Sequence, residues 1–192
     1  MDFNPQYHHT GDQLQEELTW IEAAKLNPEQ FAPLYNKYYR QIFNYIYQRM
    51  ESKESAFDLT SQVFLKALTN LPKYEYRGVP FASWLYRIAH NEVMQLFRSS
   101  KDRRAINCDV SDLRHLCEET ETNYYEEYLP TLKEAIQTLK EEELQLVEMR
   151  YFEKRSFKEI ADILTITEVN AKVRMHRIIE KLKKTLSKTK VV

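Results

Sequence analysis

Apolar residues recur at intervals of three and four from about Gln13 to Arg98, and this spacing constrains the fold more than any other feature of the chain. Phe31, Leu34, Tyr35 and Tyr38 make one run, Ile42, Tyr45 and Ile46 a second, and Val63, Ala67 and Leu68 a third. A period near 3.6 gathers such side chains on one face of an α-helix, whereas a half-buried strand would need strict alternation. The pattern breaks at Asn27-Pro28, in the polar run Glu51 to Ser55, and in the loop Leu71 to Pro80 with its two prolines and Gly78. Four amphipathic helices with short connections are therefore predicted up to about residue 100, and the fold class is all-α.

Between Ala105 and Pro130 the periodicity fails and the composition turns acidic. Asp109, Asp112, Glu118, Glu119, Glu121, Glu126 and Glu127 face a single base, Arg114, which reads as a linker. Helical spacing returns after Pro130, and the end of the chain is basic: Lys172, Arg174, Arg177, Lys181, Lys183, Lys184, Lys188 and Lys190 stand against Glu168 and Glu180. The net charge of −1 thus conceals an acidic middle and a basic end. A chain of 192 residues with 43% hydrophobic content can build two small helical domains around such a linker.

Several functions are excluded by what these residues cannot build. Gly11 and Gly78 are the only glycines, too few for a phosphate-cradling P-loop or a dinucleotide fingerprint, both of which need close backbone approach. There is no G-x-S-x-G and no H-E-x-x-H, and the five histidines lie apart from acidic clusters with ligand spacing. Cys108 and Cys117 are too few for a disulfide framework and lack paired zinc spacing. No cofactor, metal or enzymatic activity is expected. No signal peptide and no apolar run of membrane-spanning length is present, so a cytoplasmic protein without membrane insertion is predicted.

The sharpest local signals lie in "SFKEIADILTITEVNAKVRMHRIIEKLKK". Ser156 and Glu159 form an S-x-x-E capping box for a helix through Leu164, and Thr167 is placed to cap a second helix after a short turn. Two helices so joined suggest a helix-turn-helix. In the second, Ala171, Met175, Ile178 and Leu182 form an apolar stripe facing Phe157, Ile160 and Ala161 of the first. The opposite face then presents Val169, Val173, His176 and Arg177, flanked by Lys172, Arg174 and Lys181. Arg can pair bidentately with guanine in the major groove while flanking cations hold phosphates.

A second stretch, "KYEYRGVPFASWLYRIAHNEVMQLFR", mixes aromatic and basic residues from Lys73 to Arg98. Trp84, Leu85, Ile88 and Ala89 share one side of a helix beginning near Pro80 and read as core. That leaves Tyr74, Tyr76 and Arg77 in the loop, with Arg87, Asn91 and Arg98 on the polar side. Rings beside cationic and amide groups can hold unstacked bases, at about 1 to 3 kcal/mol per base. Loop tyrosines of this kind also serve as partial core, and both readings stand at this point.

Three segments, "DLTSQVFLKAL", "FASWLYRIAHN" and "SFKEIADILTITEVNAKVRMHR", resemble in order and spacing the signature segments of bacterial sigma factors of the extracytoplasmic-function group. The resemblance covers roughly residues 13 to 187. It implies core RNA polymerase and promoter DNA as partners, and it admits an anti-sigma protein, since family members are often held by one. It implies a region 2 domain over 13–104, the acidic linker over 105–130 threading the RNA exit path, and a region 4 domain over 131–187. By position, Asp58, Ser61, Gln62, Leu65 and Lys66 would dock on the clamp of the large polymerase subunit. Lys73, Tyr74, Tyr76, Arg77, Arg87, Asn91 and Arg98 would meet the minus-ten element, with a flipped base received by the loop and Asn91. Thr167, Asn170, Lys172, Val173, Arg174, His176, Arg177 and Lys181 would meet the minus-thirty-five element.

The chain departs from the family pattern at three places: Ser61-Gln62 stands where Gln-Glu is usual, Thr165 where the turn usually has Gly, and Ala171 where a larger aliphatic is usual. The rival reading is a stand-alone helix-turn-helix regulator whose N-terminal helices dimerise or sense a ligand. It predicts a palindromic site and a stable DNA complex without polymerase.

Overall fold

A computed structural model describes residues 11–99, 116 and 125–189 of the protein. Among these residues there are helices and no strands. They divide into two compact units: the first holds α1–α4, the second residues 125–161 and 165–189.

In the first unit, α1 (Gly11–Leu26) ends at the predicted Asn27-Pro28 break. Asn27 Oδ1 accepts a hydrogen bond from the Glu29 N–H at 3.0 Å, which starts a 3-10 turn (Pro28–Phe31) leading into α2 (Ala32–Tyr47). Ser52 caps α3 (Lys53–Asn70) by accepting from the Ser55 N–H at 3.3 Å. Such a cap contributes about 1 kcal/mol. A second 3-10 turn (Leu71–Lys73) and the loop to Pro80 precede α4 (Phe81–Ser99). The four expected helices are therefore all present.

Helix α3 packs on both α2 and α4, and the core forms where their apolar faces meet. Leu34, Ile42, Val63, Leu85 and Ala89 have no appreciable exposure, and truncating one of the larger ones to Ala would cost about 2–5 kcal/mol. Periodicity misassigns one residue here. Tyr35, grouped with the core repeat, is 37% exposed, because it sits one step around α2 from buried Leu34. It begins a separate ladder in which Tyr35–Tyr39, Tyr39–Phe43 and Phe43–Tyr47 ring centroids lie 5.1, 6.2 and 5.7 Å apart.

The second unit contains α5 (Tyr125–Gln137), α6 (Glu141–Val147), a π-helical turn (Glu148–Phe152), α7 (Phe157–Leu164) as far as Ala161, and α8 (Glu168–Thr189). Both α5 and α6 pack on α8. Helix α5 begins inside the segment that composition marks as linker, and Pro130 lies within it. Proline removes one backbone donor and crowds the preceding turn, so it was a reasonable stop signal, yet the helix runs through it. Most of the acidic segment, with Cys108 and Cys117, lies outside the described residues.

Candidate nucleic-acid interface

The loop between Leu71 and Pro80 is held from behind by α1. Glu17, 2% exposed, accepts the backbone N–H of Phe81 through Oε2 at 2.9 Å, so a side chain 64 residues away caps the start of α4. Its Oε1 receives Lys37 Nζ at 2.9 Å and the Tyr38 hydroxyl. Removing one partner of a buried charge-assisted network costs far more than the network contributes net. Gly78 adopts φ 72, a left-handed conformation that side chains rarely tolerate.

Held this way, the loop divides its tyrosines. Tyr74 is buried, with its ring 5.1 Å from both Phe81 and Trp84. Burial foremost, then the neighbouring Glu17 carboxylate, pushes its phenol well above the ordinary range, so the hydroxyl stays protonated. It does not reach the surface as a free stacking ring. Tyr76, at 46% exposed, does, and Lys73 and Arg77 are exposed beside it.

On α4, Leu85, Tyr86, Ala89 and Val93 turn inward, whereas Asn91 and Arg98 are exposed and Arg87 is half-buried. Trp84, Arg87 and Asn91 fall at i, i+3 and i+7, one stripe of the helix. Trp84, read from sequence as core, is half-buried, with one side packed at 5.3 Å from Phe81. Arg98 Nε donates to the Met94 carbonyl at 3.2 Å.

The residues expected to dock on polymerase also share a face. Asp58, Ser61, Gln62, Leu65 and Lys66 are all exposed on α3, at the i, i+3, i+4, i+7, i+8 spacing of one stripe. Leu65 is 64% exposed, and Lys66 Nζ is engaged by Glu92 of α4 at 2.6 Å. Phe57 adjoins this stripe, 41% exposed and stacked on Phe43 at 4.6 Å. The i, i+4 recurrence of aromatic residues along α2 was the sequence signal for that extended face.

In the second unit the capping box forms as expected. Ser156 Oγ accepts the Glu159 N–H at 3.2 Å, and Glu159 Oε2 accepts the Ser156 N–H at 3.0 Å. Glu159 Oε1 also pairs with buried Arg155 at 3.2 Å. Helix α7 ends at Thr165 in the left-handed region, φ 57 and ψ 45. The N–H groups of Thr165 and Ile166 both reach the Ala161 carbonyl, the latter at 3.0 Å. Thr167 Oγ1 then accepts the Asn170 N–H at 3.2 Å, starting α8.

Helix α8 has the two faces expected of it. Ala171, Met175, Ile178 and Leu182 are at most 3% exposed. Val169 and Val173 are 71% and 44% exposed, and Thr167, Asn170, Lys172, His176 and Arg177 are exposed with them. Arg174 and Lys181 are half-buried. Three of these cations meet carboxylates: Lys172 with Glu168 at 2.6 Å, Arg174 with Glu142 at 3.7 Å, and Lys181 with Glu143 at 2.7 Å. Partial burial acts to raise the Glu143 pKa, but hydrogen bonds from Lys181 and the Lys140 N–H, with both lysine charges, bring it below the ordinary value.

Residues 34–104 match the family described as Sigma-70 region 2, and residues 135–184 match Sigma-70, region 4. The chain is 31% identical over 165 residues to RNA polymerase sigma factor YlaC of Bacillus subtilis (strain 168), covering 82% of this chain and 92% of that one. It belongs to the extracytoplasmic-function sigma factors of the sigma-70 family. This sigma factor is also 29% identical to ECF RNA polymerase sigma factor BldN of Streptomyces coelicolor, covering 86% of its own chain and 64% of BldN. With ECF RNA polymerase sigma factor SigW of Bacillus subtilis it shares 24% identity, over 86% and 93% of the two chains. Its fold resembles that in a structure of CnrH in complex with the cytosolic domain of CnrY, with TM-score 0.60, 18% identity, and 89% and 97% of the two chains covered. A sigma factor directs RNA polymerase to promoters, and the rival regulator reading is not favoured. The region 2 match begins at Leu34, so α1 and its Glu17 lie outside it.

Proposed function

We propose that the two units divide promoter recognition, with region 2 spanning 13–104, the linker running from 105 to the start of α5 at Tyr125, and region 4 reaching from α5 to 187. The observation that carries this reading is the pair of opposed stripes on α8: Ala171, Met175, Ile178 and Leu182 buried, and Val173, His176 and Arg177 exposed. A helix so divided can pack by one side and enter a major groove by the other. Val173, His176 and Arg177 meet base edges of the minus-thirty-five element. Thr167, Asn170, Lys172, Arg174 and Lys181 hold the flanking phosphates.

In region 2, Lys73, Tyr76, Arg77, Arg87, Asn91 and Arg98 take the separated minus-ten strand, with Tyr74 as the floor under the loop. Flipping a base costs a few kcal/mol, offset by stacking on Tyr76 and by hydrogen bonds from Asn91. Asp58, Ser61, Gln62 and Leu65 dock on core polymerase, with Lys66 at the edge. An anti-sigma protein would compete for that face, whose exposed Leu65 and Phe57 suit a protein partner. The factor acts in the cytoplasm and is not an enzyme: it positions DNA, and the polymerase makes the bonds.

The test is a footprint with and without core polymerase on two templates that differ by half a helical turn in the spacer. Docking on core polymerase would hold both DNA-contacting units at one separation and make the second contact effectively intramolecular. Protection and opening should appear with core enzyme and fall on the longer spacer. Strong protection by the chain alone, indifferent to polymerase, overturns the proposal.

A further inference from the structure

Three cations on the flanks of α8, Lys172, Arg174 and Lys181, are already occupied before any DNA arrives. Glu168 holds Lys172 at 2.6 Å from within the same helix. Glu142 and Glu143 reach Arg174 and Lys181, at 3.7 and 2.7 Å, from the first turn of α6. This is a tertiary arrangement, since Glu143 and Lys181 lie 38 residues apart. Glu142, Glu143, Arg174 and Arg177 line one cleft. Arg177, on the exposed stripe, has no carboxylate partner among the described residues. The positions best placed for phosphates are thus neutralised, and the arginine best placed for a base edge is left uncompensated.

We propose that Glu142, Glu143 and Glu168 are specificity-determining residues of the minus-thirty-five contact, suppressing sequence-independent affinity by occupying the cations that phosphates would otherwise take. The inference rests on the promoter-recognition reading above. Sequence-independent binding to DNA draws its free energy from counterion release, with a salt slope of about 0.9 per neutralised phosphate. A lysine already paired with a carboxylate neutralises a phosphate less fully, so fewer counterions leave the DNA. When a phosphate displaces the carboxylate, that carboxylate stays within a Debye length, about 10 Å at 0.1 M salt, and repels the backbone. Exposed ion pairs are weak enough to exchange, so the glutamates lower affinity without blocking the site. Base-edge contacts bear no such penalty, and their share of the total rises.

Glutamine keeps the size of each side chain, and at position 143 it keeps an oxygen for the Lys140 N–H, which now bonds Glu143 Oε2 at 2.8 Å. The full chain carrying Glu142→Gln, Glu143→Gln and Glu168→Gln is titrated with two duplexes across a salt series. One is a random-sequence duplex, and the other is recovered from a randomised library by the wild-type chain with core polymerase. The variant should bind the random duplex at least tenfold tighter at 0.1 M salt. Three fully released contacts would give a slope steeper by about 2.7, or roughly 500-fold relative to 1 M salt. Its preference for the selected duplex should fall.

A control chain with Glu16, Glu29 and Glu134 changed to Gln has the same net charge, and among the described residues these exposed glutamates pair with no cation of α8. An equal gain in that control, or an unchanged slope in the test variant, overturns the inference. If the triple variant does not fold, Glu142→Gln alone decides. Its side chain is 82% exposed and should still steepen the slope by about 0.9; no change rejects the proposal. Failure of wild-type chain and polymerase to select any sequence would instead reject the promoter reading itself.

Discussion

Replacing Thr165 with glycine should stabilise the second unit by about 1 kcal/mol, as the balance of two opposing backbone effects. Thr165 ends α7 at φ 57 and ψ 45, where an L-residue pays about 1–2 kcal/mol for the approach of Cβ to the carbonyl oxygen. A β-branched side chain belongs at the upper end of that range. Glycine removes the clash and loses about 0.5–1 kcal/mol to its freer unfolded chain. The side chain is exposed, so no packing is forfeited, and the two N–H bonds to the Ala161 carbonyl are backbone bonds that glycine can make. For a domain of this size, 1 kcal/mol corresponds to about 4–8 °C in Tm. Because the chain has two units, amide exchange in α7 and α8 is the cleaner measurement, with an expected slowing of about fivefold. Thr165→Ala keeps the positive φ and should gain little. If glycine leaves exchange unchanged or faster while alanine slows it, the conformation is not the source of strain and the reasoning fails.

Arg177→Ala should cost about 1–3 kcal/mol of discrimination at one or two minus-thirty-five positions, measured by competition among single-base variants; a uniform loss over all sequences would make it a phosphate contact. Met175→Asp, on the same helix but 3% exposed, should unfold the second unit, since an unpaired carboxylate cannot be buried there, and loss of its circular dichroism transition is the readout. Asn91→Ala should weaken open-complex formation and alter one base preference on a single-stranded minus-ten probe while leaving polymerase binding intact; loss of polymerase binding would make Asn91 structural.

Much of this architecture was legible in the sequence because helical periodicity and capping are local. Ser156 with Glu159, Thr167, and the stripe from Ala171 to Leu182 each depend on neighbours within a turn or two, and each lies where spacing placed it. What was not legible depends on distant partners. Nothing near Glu17 shows that it caps a helix beginning at Phe81, and nothing near Glu142 or Glu143 shows that they face α8. The loop tyrosines illustrate the same limit. Tyr74 and Tyr76 are two residues apart in a segment without period, and the neighbours Phe81 and Trp84 decide which is buried. Tyr35 failed for a different reason: the apolar repeat on α2 is broad enough to form two stripes, and only one faces the core.

The Glu17 network also sets a lower limit on any fragment that can stand for region 2. A piece cut at Leu34, where the family match begins, would keep the Phe81 N–H, Lys37 and the Tyr38 hydroxyl but lose the carboxylate that joins them. Leaving the buried Phe81 N–H without its acceptor costs about 1–3 kcal/mol, and the loop preceding α4 would lose its anchor. Helix α1 therefore acts as a latch on the loop from Leu71 to Pro80: anything that peels it away slackens that loop from behind without touching the residues proposed to take the minus-ten strand.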